Sequence, residues 1–195
     1  MKLGIVGTGM IVQEVLPLLV EWGWNVTALC GIPASREKTQ TMTRVNGVPM
    51  AYDEYTVMLE QADIDTVYVA VPNFLHYDFC QKALHAGKNV IVEKPMTSND
   101  REAKALAALA REKELFLFEA ITTVYLPNYA LLKKLLPRIG TIKIVTCNYS
   151  QYSCRYDTVR AGETLPVFDP KKSGGALMDL NLYNLHWLIG LVRGT

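Results

Sequence analysis

Five short runs rich in Val, Ile and Leu recur through the first two thirds of the chain: KLGIV (2–6), NVTALC (25–30), DTVYVAV (65–71), NVIV (89–92) and LFLF (115–118). Helix-spaced segments separate them, and this alternation restricts the fold more than any other feature. It predicts an α/β domain with a doubly wound parallel sheet built from right-handed crossovers. The runs are nearly continuous in aliphatic residues, as strands are when helices cover both faces of a sheet. A weaker run, VPMAY (48–52), supplies a further strand between the second and third of these. Gly47 and Gly87 stand where helix C-caps belong. Ser98 is placed to N-cap the next helix, with Asp100 and Glu102 in its first turn.

The pattern changes after Glu119, which divides the chain into domains 1–120 and 121–195. A helix over NYALLKKLLPRI leads into a long period-2 stretch, TIKIVTCNYSQYSC, which predicts a strand. A polar loop with Gly162, Pro166 and Pro170 follows, and then a helix from about Gly175 to Leu191.

The 20 Lys and Arg balance 19 Asp and Glu, a formal net charge of +1 without blocks of like charge. Such a surface has no electrostatic footprint for nucleic acid or an anionic membrane, and small-molecule partners are expected. Cys30, Cys80, Cys147 and Cys154 show no CxxC spacing and lie in apolar or strand-like surroundings. Buried reduced thiols in a cytoplasmic protein are expected, with neither disulfides nor a metal site. The opening MKLGIVGTGMIVQEVLPLLV has only Lys2 as a basic flank, and Gln13 and Glu14 interrupt its apolar stretch, so it reads as structure rather than a signal peptide. LHWLIGLV falls far short of the ~20 apolar residues a membrane span needs.

The first strand runs into Gly7, Thr8, Gly9, Met10 and Ile11, at the opening of the first helix. Gly7 permits a tight turn, and Gly9 allows the backbone to approach a pyrophosphate, whose charge is met by the N–H groups and dipole of the helix start. Val12 stands where a GxGxxG motif has its third glycine, which implies wider helix–strand packing. After the second strand no acid appears until Glu37, so no carboxylate is ready for the ribose hydroxyl of NAD. Ser35, Arg36 and Lys38 are suited instead to a 2'-phosphate, which favours NADP over NAD. Their alternative role, as the solvated first turn of a helix, stays open.

The strand NVIV runs straight into Glu93, Lys94 and Pro95, two charges and a ring that cannot continue a ladder. The carboxyl ends of strands are where doubly wound sheets bind ligands. Lys94 there would lie beside a nicotinamide ring. A cis peptide at Pro95 would fix the direction of the lysine, while Glu93 would either orient it or simply be hydrated.

GTGMI, AVPNFLH, AGKNVIVEKP and SGGALMDLNLY together resemble the glucose-fructose oxidoreductase, inositol dehydrogenase and rhizopine catabolism (Gfo/Idh/MocA) family, nearest its dihydrodiol-dehydrogenase-like members. The resemblance implies an N-terminal Rossmann domain and a C-terminal α+β domain with a large open sheet, through which such proteins would form dimers or tetramers. It implies NAD(P)-dependent oxidation or reduction of sugars, polyols or cyclic diols. Position by position, it implies that Pro72 and Asn73 line the nicotinamide side, with His76 close behind, and that Lys94 is the catalytic or substrate-orienting lysine. Tyr183 matches the proton-transfer residue, with Asp179 four positions earlier on the same helix face. A packed core tyrosine, a loop or capping role for His76, and a packed His186 are the alternatives. Non-catalytic dinucleotide sensing on the same scaffold is the rival function. The chain departs from the family pattern at Ser173 and Asn181, where glycines are usual, and at Thr122 and Val124, where Trp and Arg are common. It also stops at Thr195, whereas family members continue through most of the open sheet, so a truncated C-terminal domain is expected.

Overall fold

The computed structural model describes residues 1–153 and 155–192. The chain divides into two compact units, Met1–Glu119 and Ala120–Thr195.

All six expected strands form, the last ending at the boundary of the first unit: β1 (Leu3–Val6), β2 (Val26–Cys30), β3 (Met50–Tyr52), β4 (Thr66–Val69), β5 (Asn89–Glu93) and β6 (Leu117–Ala120). Between them run α1 (Met10–Glu21), α2 (Arg36–Asn46), α3 (Tyr55–Gln61), α4 (His76–His85) and α5 (Asp100–Glu112). The strands lie in the order β3-β2-β1-β4-β5-β6, with parallel pairing of β1 to β2 and β4, β2 to β3, and β4 to β5. This is the Rossmann order, whose direction of winding reverses between β1 and β4.

Alternation along the strands buries both faces. Val6, Ala28, Cys30, Val67, Val69, Val90 and Val92 form one core with Met58, Leu59, Cys80, Leu84 and Leu106 from the helices. Leu3, Ile5 and Leu29 point the other way and are equally buried, as is the α1 stripe of Val12, Leu16 and Leu19. Val12, the residue in place of the third motif glycine, is therefore a core side chain.

The helix ends follow local chemistry. Gly47 caps α2 in the left-handed conformation, and Gly87, at φ 73°, follows α4. The N-cap of α5 is Asn99 rather than the expected Ser98. The Asn99 side chain accepts from Glu102 N at 3.1 Å, and the Glu102 carboxylate accepts from Ser98 N at 3.0 Å. Asn99 is an equally good cap, and the returning Glu102 fixes the register one residue later than the serine suggests.

The second unit contains α6 (Pro127–Leu135), α7 (Tyr156–Arg160) and α8 (Leu182–Val192), the last preceded by a π-helical turn at Leu177–Asn181. Tyr129, Leu136 and Leu191 form its buried cluster, packed by Val124, Leu132, Ile142 and Trp187. The strand expected over TIKIVTCNYSQYSC does not form: residues 142–153 are irregular, and Ile144 is 87% exposed. Period-2 patterning makes a strand only when another strand completes its ladder, and among the described residues none pairs with this segment. Cys147, within it, is exposed rather than buried, whereas Cys30 and Cys80 are buried free thiols. Cys154 lies outside the described residues. Among the described residues no helix is long and apolar enough to cross a membrane.

Gly7 sits at φ +120°, and a Cβ there would collide with the Ala70 carbonyl at the end of β4. Gly7→Ala is expected to destabilise the fold by at least the ~1–3 kcal/mol of backbone strain at such a position. Urea unfolding measures this; a variant as stable as the parent would contradict the packing at the switch point.

Candidate functional site

The crevice where the winding reverses lies at the carboxyl ends of β1 and β4, and three stretches border it. The first is the glycine turn. Gly7 N donates to Cys30 O at 2.8 Å, and Ala70 N donates to Val6 O at 2.9 Å, so the strand ends are tied directly to each other. Gly9 is the N-cap of α1, in ordinary extended geometry (φ −69°, ψ −177°), with no side-chain cap. A Cβ at Gly9 would meet nothing within 4 Å. The fold therefore has no need of glycine there, and what its absent side chain preserves is open space before the first N–H groups of α1, which have no acceptor within the helix. Thr8 is half-buried, while Met10 and Ile11 are exposed on this rim. These features fit a dinucleotide pyrophosphate.

The second stretch follows β2. The Ser35 hydroxyl closes its own turn, accepting from Ile32 N and donating to Ile32 O, both at 3.1 Å. Arg36 is exposed, and its guanidinium is held by Asp53, with Nε 2.6 Å from Oδ2 and Nη2 paired to the same oxygen. Arg36, Asp53, Tyr52, Thr39 and Gln40 line a shallow cleft. Lys38 is exposed on the first turn of α2.

The third stretch comprises the ends of β4, β5 and β6. Pro72 is exposed, and Asn73 opens a short 3-10 turn that delivers His76 to the start of α4. His76 is fully buried. Its Nδ1 lies 2.7 Å from the Pro95 carbonyl and its Nε2 lies 2.9 Å from the Val71 carbonyl. A neutral imidazole donates from only one nitrogen, so the imidazolium alone satisfies both acceptors. Burial drives the ring below its ordinary value, and the opposing pull of the two carbonyls and of the Glu119 charge is smaller.

The Lys94–Pro95 peptide is cis, as the sequence led us to expect. Glu93 does not simply meet water. Tyr68 is in register with Ile91, so Glu93, two residues on, shares the face of Tyr68, and the Tyr68 hydroxyl donates a hydrogen bond to the Glu93 carboxylate. Burial holds the Glu93 carboxyl above its usual range, although Tyr68 and the Lys94 backbone and charge pull it down. Burial and the Glu93 charge push the Tyr68 hydroxyl up. From β6, Glu119 accepts from Met96 N at 2.8 Å. Lys94, itself half-buried, is thus flanked by three fixed neighbours: Glu93, Pro95 and Met96.

Asp179 and Tyr183 belong to the second unit. Asp179 lies in the π turn, and Tyr183 in the first turn of α8. Tyr183 is half-buried and stacks on Tyr149, with ring centroids 4.9 Å apart. His186 is also half-buried. Ser173, where the resemblance implies glycine, adopts φ 56°, the left-handed conformation that glycine takes most easily.

Sequence reasoning missed Tyr68, Glu119 and Asp53. A signal existed for Glu119, because the run LFLF is followed directly by an acid just as NVIV is, on strands that become neighbours.

The family described as "Oxidoreductase family, NAD-binding Rossmann fold" matches residues 1–121. The chain belongs to this family. It is 37% identical over 191 residues to an uncharacterized oxidoreductase, YgjR, of Escherichia coli, covering 97% of this chain and 58% of that protein. It is 33% identical over 186 residues to the scyllo-inositol 2-dehydrogenase (NADP(+)) IolU of Bacillus subtilis, covering 95% of this chain and 56% of the relative. The chain therefore spans a little over half the length of these curated relatives. Among solved structures it resembles a 3-ketoreductase from Actinomadura kijaniata in complex with NADP and TDP-benzene, with a TM-score of 0.66 and 31% identity over 71% of this chain and 42% of that one. A Lactobacillus casei scyllo-inositol dehydrogenase shares the fold at a TM-score of 0.82 and 20% identity, covering 97% of this chain and 55% of that one.

Two outcomes follow from this geometry. Gly9→Ala is expected to change stability by less than about 1 kcal/mol while weakening dinucleotide affinity about tenfold or more; calorimetric titration and thermal melts together check it. Because the folded state holds the Glu93 proton more tightly than the unfolded chain does, the parent loses stability as pH rises through the folded value. Glutamine does not titrate. The melting-temperature difference, Glu93→Gln minus parent, is therefore expected to be more positive at pH 8 than at pH 4.

Proposed function

We propose that this chain forms the dinucleotide-binding part, and the first segment of the substrate part, of an NAD(P)-dependent oxidoreductase. Its substrate class is a sugar, polyol or cyclic diol, in which a carbinol is oxidised or the corresponding carbonyl reduced. The observation that carries this reading is the Glu-Lys-Pro corner. A lysine stands at the carboxyl edge of a parallel sheet, and its backbone neighbours on both sides are hydrogen-bonded to buried or partly buried side chains. Such fixing is wasted on a solvated lysine and suits one that must meet a reacting oxygen.

A bound nicotinamide would supply the carbon that accepts or donates hydride. Gly7, Thr8, Gly9, Met10 and Ile11 hold the pyrophosphate, and Pro72 and Asn73 border the ring. Ser35 and Arg36 meet the adenosine end, where a 2'-phosphate would draw Arg36 away from Asp53. That the Bacillus relative is named for NADP(+) and the ketoreductase was solved with NADP supports NADP as the cofactor. Lys94 polarises the substrate oxygen, and Tyr183, in the segment with Asp179, exchanges its proton. His76 and Glu93 act behind the surface, on the backbone. Assembly into dimers or tetramers through the second unit belongs to the same proposal.

Lys94→Ala is expected to lower kcat by about 10²-fold or more while dinucleotide affinity stays within about threefold; steady-state kinetics over a polyol and aldose panel with fluorescence titration checks both. Unchanged turnover would refute the role, and binding without turnover by the parent would favour a dinucleotide sensor. Arg36→Ala is expected to weaken NADP about tenfold and leave NAD nearly unchanged; tighter binding of NAD than NADP by the parent would refute the NADP assignment.

A further inference from the structure

We infer that His76 is a positioning residue for Lys94, holding the corner after β5 through the Pro95 carbonyl from a base at the start of α4. Four observations carry this. The imidazole is fully buried and mounted on the first residue of α4. That helix is anchored by Cys80, Ala83 and Leu84, all fully buried in the sheet core, so the ring has a rigid base. Its two nitrogens reach different loops, Nε2 the Val71 carbonyl just before Pro72 and Asn73, and Nδ1 the Pro95 carbonyl just after Lys94. Proline has no N–H, so the carbonyl is the only backbone hydrogen-bonding group through which Pro95 can be held.

A histidine that merely fills space would be replaced equally well by any side chain of similar volume. A positioning histidine would not, because its two nitrogens do different work. Asparagine places its amide nitrogen where Nδ1 stands, and glutamine places its own where Nε2 stands. His76→Asn therefore keeps a donor for Pro95 and gives up Val71, whereas His76→Gln keeps Val71 and gives up Pro95. Only the second loosens the corner that carries Lys94.

The inference rests on the proposed role of Lys94, so the test has a readout that does not need turnover. In the full chain, Lys94 is labelled competitively with isotopic acetic anhydride and quantified by peptide mass spectrometry, with the other lysines as internal standards of folding. Lys94 reactivity is expected to stay within about twofold of the parent in His76→Asn and to change about fivefold or more in His76→Gln, the other lysines being unaffected in both. In parallel, kcat is expected to fall about tenfold or more in His76→Gln, with the dinucleotide KM within about threefold, and to fall less in His76→Asn. Equal Lys94 labelling in the two variants, whether unchanged or changed together, overturns the inference, as does a larger effect of asparagine. Should the parent show no turnover on any substrate, the proposed activity fails while the labelling still decides the positioning role. Should His76→Gln not fold, imidazole 15N shifts of the unmutated chain decide instead: a protonated Nδ1 supports the link to Pro95, and a bare Nδ1 overturns it.

Discussion

Lys94 owes its place to hydrogen bonds made by its neighbours. Glu93 is gripped by Tyr68 from the adjacent strand, the Pro95 carbonyl by His76 at the start of a helix, and Met96 N by Glu119 at the end of the last strand. Each holder comes from a different element, so the corner is fixed only when β4, α4, β5 and β6 are all in place. Burial makes the arrangement demanding. A carboxyl held above its usual range and an imidazole held below it both sit where charge is costly, and each offsets that cost through specific partners.

The glycine turn shows the same division between what the fold requires and what a ligand requires. Gly7 is demanded by the protein, since its backbone conformation and the adjacent Ala70 carbonyl exclude a side chain. Gly9 is demanded by nothing in the protein and leaves space at a helix start. Two glycines two positions apart thus answer to different constraints, and only the second points outward to a partner. Arg36 extends the theme at the far end of the crevice, where Asp53 preorders a cation that an incoming phosphate would compete for.

Much of this is legible in the sequence. Five aliphatic runs at crossover spacing specify five strands, because a parallel sheet buried on both faces leaves little choice of residue, whereas the sixth, Met50–Tyr52, is a largely exposed edge strand with only a weak pattern. Lys94 and Pro95 announced themselves by breaking that rule at a strand end. The partners of the corner did not, because Tyr68 and Glu119 matter only through cross-strand register, which one-dimensional patterning does not contain. Asp53 was hidden behind the weakest strand. The stretch 141–153 misled for the opposite reason: its alternation is real, but a ladder needs a second strand, and among the described residues none is offered.

The central claim is spatial: the Lys94 amine faces the reacting side of a bound nicotinamide. A crystal structure of the protein with NADP and a polyol tests it most directly. The account predicts pyrophosphate density against Gly9 and the start of α1, with Lys94 Nζ within about 3 Å of the substrate oxygen. A dinucleotide bound elsewhere, or the amine turned to bulk solvent away from the ring, would contradict it.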